Sequence, residues 1–87
     1  MTDLADIVKA SIEPIIRAMV DEPDRIKIRI QKSDMNTVFI YITTKKSDVG
    51  KIIGKQGRHA AALRVLTSAI GSKHNSRAIV EINAEET

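Results

Sequence analysis

Between Arg25 and Thr43 the aliphatic side chains fall on every second residue, and no other feature limits the possible folds so tightly. In Arg25-Ile26-Lys27-Ile28-Arg29-Ile30-Gln31-Lys32 the isoleucines fall at 26, 28 and 30 and the other residues are basic or polar. In Thr37 to Thr43, Val38, Ile40 and Ile42 alternate with Phe39 and Tyr41. A period of two marks a strand with one buried and one wet face. Ser33-Asp34-Met35-Asn36 supplies the turn, and so short a connection makes the two strands an antiparallel hairpin.

On both sides of the hairpin the period returns to that of a helix. Residues 3 to 20 carry Leu4, Ile7, Val8, Ile12, Ile15, Ile16 and Met19 on one stripe, with Asp3, Asp6, Lys9, Glu13 and Arg17 opposite. Thr2 or Asp3 is the expected cap. Pro14 lacks the N–H that would reach back one turn, which predicts a kink or two short helices, and Pro23 closes the segment. After the hairpin, Ser47 is the expected cap of a short helix from Asp48 to Ile53, cut off by Gly54-Lys55-Gln56-Gly57. A second helix runs from Arg58 to about Ile70 and ends at Gly71, with Leu63, Leu66 and Ile70 facing the core. Ala78 to Ile82 reads as the last strand, and residues 83 to 87 as a frayed acidic tail. The order is α-β-β-α-α-β, an α+β chain. A three-stranded mixed sheet with all helices on one face buries every apolar stripe. The two helices between strands two and three let those strands lie parallel.

Composition bounds the rest. Eighty-seven residues make one domain, and one Phe, one Tyr and no Trp leave an aliphatic core. Without cysteine there is no disulfide framework, thiolate zinc site or thiol catalysis. His59 and His74 stand too far apart for compact metal-ligand spacing. No apolar run approaches a bilayer span, and MTDLADIVKA does not read as a signal peptide, so a soluble, cytoplasmic protein without cofactor is expected. The charge is unevenly placed. From Lys45 to Arg77 eight bases face one acid, Asp48, for +7, while six bases and ten acids elsewhere give −4. A basic half on a nearly balanced chain is the footprint of a polyanion-binding face.

The chemistry concentrates in Val49-Gly50-Lys51-Ile52-Ile53-Gly54-Lys55-Gln56-Gly57-Arg58. Two glycines three apart between two helices permit a tight turn. They also let a sugar-phosphate backbone approach the N–H groups at the start of the second helix. Lys51, Lys55 and Arg58 add positive charge. A helix corner with glycines for geometry alone is the plainer reading of a lone GxxG. A Walker A loop is excluded, since three residues rather than four separate Gly50 from Gly54 and Lys55 precedes Gln56. No GxGxxG follows a strand, and no carboxylate pair or nucleophile–base set offers catalysis, so no enzyme activity is expected.

In its α-β-β-α-α-β setting the motif is no longer alone. The chain resembles a KH domain of the type II topology, and more closely the small bacterial stand-alone KH proteins of the KhpA type. The likeness covers nearly the whole chain, residues 1–87, as a single KH domain with a core of about 25–83. The KH pattern of an apolar residue, GxxG, two residues and another apolar one maps onto Ile53, Gly54 to Gly57, and Ala60. The resemblance implies binding of single-stranded RNA, with the GxxG loop clamping the backbone of about four nucleotides and the bases in an apolar groove. Lys51, Ile53, Gly54, Lys55, Gln56, Gly57 and Arg58 would form that site, and Val49 with Ile52 or Ile53 would line the groove. It further implies a homodimeric post-transcriptional regulator or RNA chaperone, with a larger Jag-type KH protein as a further partner. A protein–protein scaffold, in which RNA binding is incidental, is the competing reading.

Three other features have expected roles. Ala61, Val65 and Ala69 form a stripe of small residues that suits a close-packed dimer face. His74, with Lys73 and Arg77, is expected to border the groove. The row Arg25, Lys27 and Arg29, beside Phe39 and Tyr41, is expected to be a solvated outer face, because a KH sheet leaves RNA to its helical side.

Overall fold

In the computed structural model, which describes residues 3–33 and 36–85, the hairpin forms as its alternation requires. Strands β1 (Lys27–Lys32) and β2 (Thr37–Thr44) pair antiparallel, with Ile28 opposite Ile42 and Ile30 opposite Ile40. Strand β3 (Arg77–Ala84) lies parallel to β2, so that Ile40 sits beside Val80, and the order across the sheet is β1-β2-β3. Three helices occupy the connections: α1 (Leu4–Met19), α2 (Val49–Ile53) and α3 (Arg58–Lys73). Short 3₁₀ turns at Pro23–Arg25, Lys46–Asp48 and Lys55–Gly57 join them. The mixed α+β order is that of a type II KH fold.

The core is aliphatic. Val8, Ile12 and Ile16 of α1 meet Val38, Ile40 and Ile42 of the central strand, together with Ile52, Leu63 and Val80. Fully burying one such side chain is worth about 1.5–3 kcal/mol, so this set carries most of the driving force. It also explains why α1 runs through Pro14 as one helix rather than two. Proline removes one backbone bond, but Val8 and Ile12 on one side and Ile16 on the other are anchored in the same core.

Several local expectations are revised. Asp3 is the N-cap of α1 without a side-chain capping bond; its carboxylate pairs instead with Lys32 at the end of β1. Thr2 lies outside the described residues, as do Asp34 and Met35 of the turn. Ser47 caps nothing, because the chain makes a 3₁₀ turn there and Asp48 becomes the N-cap of α2. On α3 the buried positions are Ala60, Leu63, Thr67 and Gly71, and Leu66 is 48% exposed. Thr67 can take the core position because its hydroxyl donates to the Leu63 carbonyl at 2.9 Å, which leaves no polar atom unpartnered.

The end of α3 is also displaced. The helix continues past Gly71 to Lys73, and Asn75, at φ 57°, takes the left-handed position. Ser76 N–H donates to Gly71 O at 2.8 Å and Asn75 N–H to Ser72 O at 3.1 Å, the two bonds of a Schellman motif. Gly71 is glycine for a different reason. A Cβ there would sit 2.7 Å from the Ser76 carbonyl oxygen. The acidic tail is anchored as far as Glu85, whose N–H donates to Thr44 O at 2.7 Å and whose carboxylate pairs with Arg25.

Candidate nucleic-acid interface

The Gly54–Gly57 loop turns the chain from α2 into α3 through three residues of positive φ. Gly54 adopts φ 78° and ψ 168°, a region open to essentially no other residue. Gln56 (φ 58°) and Gly57 (φ 72°) are left-handed. Gly54 is required twice over, because a Cβ on it would lie 2.5 Å from His59 Cγ and 2.9 Å from His59 N. At Gly57, by contrast, no atom beyond its two chain neighbours lies within 4 Å of where a Cβ would stand. That side of the loop is open to an approaching backbone.

Behind the loop stands the N-terminus of α3. Its N-cap is Gly57, which has no side chain to accept from the first-turn N–H groups. Those donors and the helix dipole therefore point outward, the arrangement that suits a phosphate. Lys55 and Arg58 are exposed beside it. Arg58 donates to the Gln56 side-chain oxygen at 3.3 Å, and neither base forms an ion pair among the described residues. Ile53, at the end of α2, turns outward and is 37% exposed, Val49 is half-buried, and Ile52 belongs to the core. The apolar contribution of α2 to this surface is thus Ile53, with Val49 beside it.

Lys51 is placed differently from its neighbours. Its ammonium lies 3.1 Å from an Asp21 carboxylate oxygen and 3.5 Å from one of Asp48. Asp21 first and Asp48 second hold Lys51 above its ordinary value. Asp48 itself is buried, and its two oxygens accept from the backbone N–H groups of Asp21 (3.2 Å) and Glu22 (3.0 Å). Burial alone would push its carboxyl up; those two N–H groups and Lys51 outweigh burial, so Asp48 titrates below the usual range. Asp48 thus ties the segment after α1 to the start of α2. Nothing in its residue type pointed to that role; the sole clue was a lone acid inside a basic segment.

The loop is braced from behind by His59. Its Nδ1 donates to the Lys51 carbonyl at 2.8 Å, bridging α2 and α3. Lys73, His74 and Arg77 do not border the loop. They lie at the far end of α3, about 22 Å of helix away at 1.5 Å per residue. The positive segment is therefore split between two ends of the molecule. Among the described residues no cluster of His, Cys, Asp or Glu could hold a metal ion, and no helix is long and apolar enough to cross a membrane.

Comparison with known proteins bears on the family. The family profile of the KhpA/KhpB KH domain matches residues 9–82. The chain is similar to the RNA-binding protein KhpA of Borreliella burgdorferi, 39% identical over 71 residues, covering 82% of this chain and 85% of that protein. It is 37% identical over 68 residues to RNA-binding protein KhpA of Listeria monocytogenes, covering 78% and 88% of the two chains. To the protein of the same name from Caldanaerobacter subterraneus it is 38% identical over 71 residues, 82% and 93% of the two. With a type II KH order, a GxxG turn in Gly-specific geometry and this extent of likeness, the chain belongs to the KhpA/KhpB family of KH domains.

Proposed function

We propose that this protein binds single-stranded RNA, with the Gly54–Gly57 loop holding the sugar-phosphate backbone against the N-terminus of α3. The observation that carries this reading is the conjunction at one point of an open Gly57, an uncapped helix N-terminus and two cations, Lys55 and Arg58, without ion-pair partners among the described residues. The relatives' name, RNA-binding protein KhpA, supports RNA as the anion. Gln56, Gly54 and Gly57 shape the clamp, Ile53 offers apolar contact to a base, and Lys51 acts as a brace through Asp21 and Asp48. Replacing Lys55 and Gln56 together by aspartate sets carboxylates against the phosphates. Affinity for a tetranucleotide measured by fluorescence anisotropy should be lost while circular dichroism and melting temperature stay unchanged. Unchanged affinity in the folded variant would remove the clamp and favour a scaffold role.

We further propose that the working form is a homodimer serving as a post-transcriptional regulator or RNA chaperone. Exposed aliphatic surface on the helical side supports it. Val65 is 68% exposed, and Ile15, Met19, Ala62 and Leu66 line a small apolar cleft of about 140 Å³ between α1 and α3. Ala61 and Ala69 continue the exposed surface along α3. A second copy related by a two-fold axis would cover the same patch on both chains, and two clamps on one RNA raise affinity through effective concentration. The KH module of a larger, Jag-type protein is the other partner that the patch would suit.

A further inference from the structure

Away from the helices, the outer face of the sheet gathers features that the loop clamp does not use. The chain has one Phe and one Tyr, and neither is in the core. Phe39 and Tyr41 lie side by side on the outer face of β2, ring centroids 6.4 Å apart and planes within 15°. The Arg29 guanidinium stands 5.1 Å from the Tyr41 ring centroid. Around them the register sets Lys27 opposite Thr43, Gln31 opposite Phe39 and Arg77 beside Thr37. An open cleft of about 270 Å³ is lined by Lys27, Arg29, Tyr41, Thr43 and Asn83.

Charge distinguishes this face from a merely solvated one. Arg17, Arg25, Lys32, Lys45 and Lys51 each pair with a carboxylate. Lys27, Arg29 and Arg77 form no ion pair among the described residues, and the one carboxylate on this face of β1–β3 is Glu81. A guanidinium lying on an aromatic ring keeps its in-plane N–H donors free for a phosphate or a base edge. Aromatic rings flanked by unpaired cations are the recurring platform for single-stranded nucleic acid, because every base has a face to stack and every link a charge to neutralise.

We infer that the outer sheet face is a second contact for single-stranded RNA, with bases stacking at Tyr41 and Phe39 and phosphates meeting Lys27, Arg29 and Arg77. It takes the ligand class of the loop clamp but lies on the opposite layer. Four nucleotides held at the loop cannot reach it; a longer strand wrapping an edge of the domain does. The surface thereby lengthens the footprint of a module that otherwise holds only a few nucleotides.

Tyr41 is the one tyrosine in the chain, so 3-fluorotyrosine labelling places a single fluorine signal on this face. Tetrauridylate should leave that signal in place, whereas an oligouridylate long enough to cross the domain should shift it, also in the variant with Lys55 and Gln56 replaced by aspartate. Tyr41→Thr, checked for folding by circular dichroism, should weaken the long oligouridylate roughly tenfold, equivalent to ~1.4 kcal/mol of stacking, and leave tetrauridylate binding unchanged. Lys27→Gln with Arg29→Gln tests the same face without touching the aromatic packing and should also weaken only the long strand. A fluorine signal unmoved by saturating long oligouridylate overturns the inference. So does a signal that moves with protein concentration in the absence of RNA, which would make the face a protein contact. Failure of the loop clamp alone would instead appear as tetrauridylate binding that ignores Lys55 and Gln56.

Discussion

His59 Nδ1 donates to the Lys51 carbonyl at 2.8 Å, so one side chain from the first turn of α3 holds the last turn of α2 across the GxxG loop. The same ring closes over Gly54, 2.5 Å from where a Cβ would stand. The two glycines of the motif should therefore differ in cost. Gly57→Ala meets open space and costs about 1–2 kcal/mol for its left-handed backbone. Gly54→Ala adds a steric clash to an even less accessible conformation and should destabilise more. In a double-mutant cycle by urea unfolding, His59→Ala should relieve part of the Gly54→Ala cost. Strict additivity would show that the ring does not pack on the glycine in solution.

Pairing of Lys51 changes the expected salt response. With Lys51 engaged by Asp21 and Asp48, and with Lys73 and Arg77 remote, only Lys55 and Arg58 stand ready for phosphates at the loop. For a tetranucleotide, log K against log salt should fall with a slope of about −1.4, at roughly −0.7 per contact. A slope of about −2.1, steeper by one contact at roughly −0.7, would mean that Lys51 leaves its carboxylates on binding.

The buried Asp48 predicts an acid limb in the stability profile. Its folded pKa lies below the ordinary 3.8, so its contribution is complete above that value and is lost as pH falls through the folded value. Lys51 is shifted the other way, above 10.5, and its contribution is complete below that pH and lost as pH rises through the folded value. Between these limits the pair gives a plateau. Asp48→Asn should lower the melting temperature by several degrees at neutral pH and flatten the acid limb. An acid limb unchanged in this variant would assign acid unfolding to other carboxylates.

Gly71→Ala sets two effects against each other. Alanine gains about 1 kcal/mol of helix propensity over glycine, but here its Cβ would press on the Ser76 carbonyl oxygen at 2.7 Å. Overpacking of that kind costs about 1–3 kcal/mol, and both contacting groups belong to a hydrogen-bonded turn with little freedom to move. Net destabilisation of roughly 1 kcal/mol by thermal or urea unfolding is expected. A stabilised variant would show that the helix end shifts freely away from β3.

Leu66→Glu or Val65→Glu should convert a dimer to a monomer in analytical ultracentrifugation without unfolding the domain, since both side chains are largely outside the core. An unpaired charge in an apolar contact costs several kcal/mol. Long RNA should bind more weakly for want of the second clamp. A wild type that is monomeric at micromolar concentration would remove self-association through α3.

What the sequence determined by itself were the features written in neighbouring residues. The alternation from Arg25 to Thr43 led directly to the hairpin, because strand period is a local property. The pair Gly54 and Gly57 marked a turn between two helices that only glycine geometry allows. The tertiary structure decided what depends on distant partners. Pro14 remains inside one helix because the core anchors both of its sides. Thr67 displaces Leu66 from the core since a hydroxyl can return its bond to its own helix. Asn75 rather than Gly71 takes the left-handed cap, since the helix runs on to Lys73, and Gly71 is glycine because the Ser76 carbonyl leaves no room for a side chain. Lys51 is a brace rather than a free cation, for Asp21 and Asp48, 27 residues apart in the chain, converge on it only after folding.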